Sequence, residues 1–174
     1  ERMSKIVFFD IDGTLHYSGI GIPESAIRAV NQLIANGHKA VMCTGRSKGM
    51  MPEEYFHMGF HGMILGAGAY VEYEGKVIHQ ELMSEQEVQT VIDWGKKQKV
   101  GIILEGEQHG YYDPDNHDDY YVAMKNKTEV DCETTLYPIS EAVDVPKWTY
   151  HHMDLKLKPE IEEILGHKYK GTYH

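Results

Sequence analysis

Two carboxylates, Asp10 and Asp12, lie two residues apart directly after the apolar run Ile6-Val7-Phe8-Phe9. Set at the end of a strand, a carboxylate can coordinate Mg²⁺, which prefers hard oxygen ligands. It can also attack phosphorus and form an acyl phosphate. The second carboxylate can then protonate the leaving oxygen and activate water against that acyl phosphate. Mg²⁺ would offset the repulsion between an anionic nucleophile and an anionic phosphoryl group. Gly13 lets the chain turn sharply after Asp12. A bare Asp-x-Asp-Gly also fits a solvated turn. Here the pattern is longer, with four apolar residues before it and Thr14-Leu15 after it.

A second apolar run, Ala40-Val41-Met42-Cys43, ends in Thr44-Gly45-Arg46. The Thr44 hydroxyl and the Gly45 amide are candidate donors to a phosphoryl oxygen, and Arg46 adds a cation. The same residues also suit a helix N-cap (Thr44) and a surface arginine (Arg46). Both readings stand on these residues alone.

The elements that must hold these groups follow from the pattern of apolar residues. Ile6–Phe9, Ala40–Cys43 and Met63–Leu65 read as buried strands. Pro23-Glu24 opens a helix with Ala26, Ile27, Val30, Leu33 and Ile34 on one face, and Asn36-Gly37 closes it. A helix-like stretch follows from Ser47 to His57. Strand–helix–strand–helix–strand is the pattern of a parallel α/β sheet, with ligands at the carboxyl ends of the strands. Beyond Leu65 the pattern changes. Tyr70–Tyr73 and Lys76–His79 flank a Glu74-Gly75 turn, and Ser84 with Glu87 forms a capping box. Val88, Val91, Ile92 and Gly95 mark that helix's inner side. Gly101–Glu105, Tyr150–Leu157 and Lys168–Tyr173 read as strands, and Pro138–Val145 and Pro159–Leu165 as helices. The second half is therefore α+β, with the boundary near residue 80.

The string Phe8–Leu15 resembles the first motif of the haloacid dehalogenase (HAD) superfamily, and Val41–Arg46 resembles its second. The Thr-Gly-Arg form is common in the Cof-type branch, type IIB. This resemblance implies a Rossmann-like parallel-sheet core with an inserted α+β cap domain. It implies Asp10 as nucleophile, Asp12 as acid–base, and Thr44, Gly45 and Arg46 as phosphate-binding residues. Mg²⁺ would be held by Asp10 and by the backbone carbonyl of Asp12. The implied activity is hydrolysis of a small phosphorylated metabolite, such as a sugar phosphate or a flavin- or nucleotide-like ester, through an aspartyl phosphate. The alternatives are a phosphomutase-type phosphotransferase, or a non-catalytic binding protein if these 174 residues are the whole natural chain.

Two departures stand out. Where family members often carry Asn-Gly-Ala after the third strand, this chain has Gly66-Ala67-Gly68-Ala69. Nothing between Met153 and His174 matches the third-motif Lys or the fourth-motif acidic pair. Residues 1–80 are thus expected to be the N-terminal part of the core and 81–174 the cap, the rest of the core being missing from this chain.

Composition narrows the class further. The 17 basic and 27 acidic residues give a net charge of −10, against a nucleic-acid surface. No apolar run approaches the ~20 residues needed to span a bilayer. Cys43 and Cys132 make no disulfide framework, and a reducing cytoplasm is the expected compartment. Cys43, in its apolar run, reads as buried. The acidic stretch Asp113–Asp119 lacks the Gly and Glu of an EF-hand loop and reads as solvated. Tyr111, Tyr112, Tyr120 and Tyr121 read as packing residues, with a sugar pocket as the other option. His151-His152 shows no ligand spacing.

Overall fold

The computed structural model describes residues 3–166 and 168–172. Short β-forming runs in the first eighty residues assemble one five-stranded sheet. Its order is β1 (Ile6–Phe9), β2 (Lys39–Cys43), β3 (Gly62–Leu65), β4 (Tyr70–Tyr73) and β5 (Lys76–Gln80). The first three strands run parallel, and β3, β4 and β5 are antiparallel neighbours. Helix α1 (Glu24–Ala35) makes the β1–β2 crossover, entered from Pro23 and left through Asn36 and Gly37 (φ 84°). Its Val30 is buried beside Ile11, Met42 and Leu65, with Ala26, Leu33 and Ile34 packed around them. The β4–β5 turn uses Glu74 (φ 48°) and Gly75 (φ 75°), both left-handed, as a tight hairpin whose twist matches its strands requires.

A second, four-stranded sheet follows, in the order β8 (Tyr137–Pro138), β7 (Gly110–Tyr112), β6 (Gly101–Glu105) and β9 (Lys147–His151). Its period-2 alternation divides two hydrophobic clusters. Ile102 and Leu104 pack against Val91, Ile92 and Trp94 of α2 (Glu85–Gln98) and against Ile161 and Leu165 of α4 (Lys158–Leu165). Ile103, on the other face, meets Tyr121 and Cys132 of α3 (Asp119–Cys132), Leu136, and Met50 from the first half. Among the described residues no helix is long and apolar enough to cross a membrane.

Several local readings change. The run Ile6–Phe9 is more open than expected: among the described residues it pairs only with β2, and Ile6 and Phe8 are 54% and 59% exposed. Cys43 is half-buried. Ser47–His57 is no continuous helix but two short 3₁₀ turns, Lys48–Met50 and Glu53–His57. Pro52 cannot donate a backbone bond and forces Met51 into extended backbone (φ −106°, ψ 134°), which divides the segment. The strand expected at Tyr150–Leu157 begins earlier and ends at His151, where His152 turns left-handed (φ 61°). Leu155–Leu157 is a 3₁₀ turn, and within Pro138–Val145 only Ile139–Glu141 is helical. Lys168–Thr172 forms no strand, and Tyr173 lies outside the described residues.

Helix α3 and strand β7 carried no sequence signal. In α3 only Tyr121 and Cys132 are buried, while Val122 and Val130 face solvent, so the apolar residues trace no helical stripe. The acidic stretch before it is structured rather than merely solvated. Asp118 caps α3 by accepting from the Tyr121 amide, and Asp113 is buried, 3.5 Å from Lys96. Tyr111 and Tyr121 are packing residues. The Tyr121 hydroxyl donates to the Ile102 carbonyl at 2.6 Å and accepts from the Asp113 amide at 2.8 Å.

The Ser84 capping box forms as its residues imply. The Glu87 amide donates to Ser84 Oγ at 3.2 Å, and the Ser84 amide donates to Glu87 Oε2 at 2.7 Å. That backbone bond, helped by Lys168 and by the Ser84 hydroxyl, pushes the Glu87 carboxyl down to about 2. A carboxyl depressed in the folded state stabilises fully above its unfolded value of 4.5 and loses the contribution as pH falls toward 2. Glu87→Gln, which removes the charge that the Ser84 amide holds, is therefore expected to cost about 1 kcal/mol at neutral pH. The deficit should shrink as the pH falls toward 2. Urea unfolding of both proteins at pH 7 and near pH 2.5 measures this, and an equal deficit at both would count against the reciprocal cap.

Candidate active site

Parallel pairing sets the geometry. Phe9 pairs with Met42, so Asp10 leaves β1 one residue beyond that pair and Thr44 leaves β2 two residues beyond it. Both lie at the carboxyl ends of adjacent parallel strands, where open α/β sheets bind ligands. After Asp12 the chain folds back on itself. The amides of Thr14, Leu15 and His16 all donate to the Ile11 carbonyl, and Gly13 (φ 78°) donates to the His16 carbonyl. This tight turn pins Ile11 in the core, with no exposed surface, and leaves Asp10 and Asp12 exposed on either side of it. Asp10 accepts one weak bond, from Thr14 Oγ1 at 3.3 Å. Its other carboxylate oxygen and the Asp12 carbonyl accept none from the described residues.

Thr44 is buried and held at both backbone ends. Its amide donates to Ile64 and its carbonyl accepts from Ala67. The Arg46 amide donates to Thr44 Oγ1 at 3.2 Å, which leaves the hydroxyl proton free to donate elsewhere. The Gly45 amide has no acceptor among the described residues. One hydroxyl and one amide thus stand ready for an anion beside Asp10. Ala67, where relatives often carry Asn, sits in the left-handed region (φ 56°, ψ 34°). Asn tolerates that region better than Ala does, so the substitution puts the strain on the backbone.

Arg46 does something that its position in the motif did not suggest. It is 8% exposed and reaches Asp12 with a two-pronged contact, Nε at 2.9 Å from Oδ2 and Nη2 at 2.5 Å from Oδ1. Nη1 donates to the Asp131 carbonyl at 3.2 Å and the Met50 carbonyl at 3.4 Å. Burial lowers the guanidinium's pKa and the Asp12 hydrogen bond raises it, with a net shift upward, so Arg46 is a fixed cation. It joins the first motif, the second motif and the C-terminus of α3.

The second half reaches into the site at two further points that carried no sequence signal. Ser47 Oγ and the Gly49 amide both donate to the Gly106 carbonyl, at 2.9 and 3.1 Å. A Cβ on Gly49 would stand 2.5 Å from the His109 amide nitrogen, so only glycine permits this approach. Lys147 Nζ donates to the Gly45 carbonyl at 2.8 Å. That contact links positions 102 residues apart in the chain, beyond what local spacing can reveal.

Oxygen donors of this kind suit Mg²⁺. Asp10 and the Asp12 carbonyl present two of them without competing partners. Among the described residues no group of three or more His, Cys, Asp or Glu side chains converges on a metal-sized site.

The pattern of haloacid dehalogenase-like hydrolases matches residues 7–171, nearly the whole sequence. The chain belongs to this family. A curated relative, "Putative phosphatase YkrA" of Bacillus subtilis (strain 168), is 30% identical over 104 residues, which are 60% of this chain and 40% of that protein. The chain therefore spans less than half the length of this relative. Among solved structures, a hypothetical protein of Geobacillus kaustophilus HTA426 superposes with a TM-score of 0.74 at 22% identity, covering 99% of this chain and 66% of that one. The HAD subclass IIB sugar phosphatase BT4131 superposes with a TM-score of 0.73 at 23% identity, over 99% of this chain and 67% of that one. These likenesses fix the fold: the mixed five-stranded sheet is the Rossmann-like core of the family, and the α+β half has the place of the IIB cap.

Proposed function

We propose that the protein is a Mg²⁺-dependent phosphomonoesterase that works through an aspartyl phosphate on Asp10. One observation carries the reading: a lightly engaged carboxylate, Asp10, sits at a strand end beside a free Thr44 hydroxyl proton and a free Gly45 amide. An anion bound by those donors lies next to a nucleophile of the right charge and reach.

The steps follow from the residues. Thr44 and Gly45 hold two phosphoryl oxygens and orient phosphorus toward Asp10. A carboxylate oxygen of Asp10 forms the new P–O bond while the bond to the leaving oxygen breaks. Asp12, entering the step protonated, gives that oxygen its proton; the carboxylate so formed takes a proton from the water that attacks the aspartyl phosphate, which releases inorganic phosphate and restores Asp10. Arg46 fixes the Asp12 carboxylate from one side, and each of its oxygens keeps a second lone pair directed elsewhere. We therefore read Arg46 as the positioner of Asp12 more than as a direct phosphate ligand. Bound Mg²⁺, held by Asp10 and the Asp12 carbonyl, would neutralise charge between the two anions. The contacts of Ser47, Gly49 and Gly45 with the second half tie it to the phosphate-binding loop.

The test is release of inorganic phosphate from p-nitrophenyl phosphate with and without Mg²⁺. Turnover is expected with the metal, falling to background when EDTA removes it. Equal rates in both conditions would overturn the metal-dependent reading.

A further inference from the structure

Lys147 of β9 ends at the backbone of the phosphate-binding loop, where its ammonium donates to the Gly45 carbonyl at 2.8 Å. That carbonyl shares one peptide group with the Arg46 amide, and the Arg46 amide donates to Thr44 Oγ1 at 3.2 Å. The peptide is therefore gripped at both ends: Lys147 holds its oxygen and Thr44 takes its N–H. The grip on the oxygen is itself braced. Glu105, directly opposite Lys147 in the β6–β9 register, meets the ammonium through Oε1 at 3.1 Å. Glu105 is buried, and Thr149 Oγ1 donates to the same carboxylate oxygen at 3.0 Å. A lysine pinned between a fixed carboxylate and a backbone carbonyl has given up much of its rotamer freedom on folding, so it holds the peptide at one defined point.

The peptide needs such a grip because it follows glycine. Without a Cβ, Gly45 has access to backbone angles that other residues avoid, and the peptide after it turns over more easily. Space does not prevent this, since a Cβ on Gly45 would meet nothing nearer than Lys147 Nζ at 3.9 Å. A turned-over peptide exchanges its two polar groups. The Gly45 oxygen would then face Thr44 Oγ1 and accept its hydroxyl proton, the donor that a phosphoryl oxygen requires. The Arg46 N–H would face the Lys147 ammonium, donor against donor. Lys147 therefore favours the orientation observed. Its charge also polarises the peptide and strengthens the Arg46 N–H as a donor to Thr44. In that orientation Thr44 Oγ1 accepts from Arg46, and its proton is left to point at an anion.

We infer that Lys147 is a positioning residue: from the second half of the chain it fixes the Gly45–Arg46 peptide, and through that peptide the Thr44 hydroxyl, without touching the substrate. The assignment rests on the phosphatase reading. Its test is a double-mutant cycle on Lys147→Met and Thr44→Val, read as kcat/KM for p-nitrophenyl phosphate with Mg²⁺. Thr44→Val alone loses a phosphoryl donor and should fall on the order of 10²-fold. Lys147→Met alone should fall about 10-fold, within the range of couplings between residues of one hydrogen-bond network. On the Thr44→Val background no hydroxyl is left to orient, and Lys147→Met should then lower the rate by less than about 2-fold. Lys147→Arg, whose guanidinium can donate to both Gly45 and Glu105, should recover most of the loss. An equal loss in both backgrounds would make Lys147 a latch of the fold or a direct substrate ligand and overturn the inference, as would original activity in Lys147→Met. Failure of the phosphatase reading shows itself separately, as no phosphate released from any ester. The same cycle is then read as affinity for inorganic phosphate by calorimetry. There too the loss in Lys147→Met should vanish on the Thr44→Val background, whereas additive losses, or no phosphate bound at all, overturn the positioning role.

Discussion

Replacing Asp10 by Asn is expected to abolish phosphate release, by a factor on the order of 10⁴ or more, with the fold intact. Magnitude and selectivity both follow from the environment of the side chain. An amide oxygen carries no charge, attacks phosphorus poorly and is a weaker partner for Mg²⁺. The fold has little stake in the carboxylate, because Asp10 is exposed and its one side-chain hydrogen bond among the described residues is the 3.3 Å bond from Thr14, which Asn can also accept. Thermal melts should therefore superpose while turnover vanishes. Turnover near the original rate would sink the nucleophile assignment, and a large drop in Tm would show that the turn after β1 depends on the charge.

The site divides into a part legible in the sequence and a part that was not, and the division is physical. Asp10, Asp12 and Thr44-Gly45-Arg46 follow directly on strands, so type and spacing place them at one end of one sheet, as pairing of Phe9 with Met42 bears out. The direction of Arg46 was hidden. A long arginine side chain can reach outward to an anion or back across the loop, and only the tertiary position of Asp12 decides. Lys147 was hidden more deeply, since its relation to Gly45 exists only once β9 has paired with β6. In the fold, elements with a regular apolar stripe were readable, α1 and α2 above all. Helix α3 was not, because it touches the core through Tyr121 and Cys132 alone and owes its start to the Asp118 cap. The exposure of β1 is not written in its own residues: Ile6 and Phe8 are as apolar as a buried strand requires.

Asp12→Asn is expected to slow turnover by about 10²–10⁴-fold, the usual worth of general acid–base help, while Mg²⁺ affinity changes little. The division of labour rests on two different parts of one residue. The backbone carbonyl, proposed as the metal ligand, survives the substitution, and the carboxylate that moves the proton does not. The neutral amide has a second consequence. Asp12 now meets the Arg46 fork with two oxygens, at 2.9 and 2.5 Å. Asn presents one oxygen and one NH₂, and the NH₂ faces a donor. The side chain must then rotate or the guanidinium withdraw, and Arg46, already tied to the Asp131 and Met50 carbonyls, has little room. Loss of charge and loss of position are therefore one event. Arg46→Met should accordingly slow turnover through the same pair. Combined with Asp12→Asn, it should cost clearly less than the sum of the two single losses, as for residues acting as a unit. The measurements are kcat for the two single variants and the double variant, with Mg²⁺ titrations of each. Full additivity would mean that Arg46 acts directly on the phosphate and independently of Asp12. A loss of Mg²⁺ affinity in Asp12→Asn equal to that in Asp10→Asn would place the Asp12 carboxylate, not its carbonyl, on the metal.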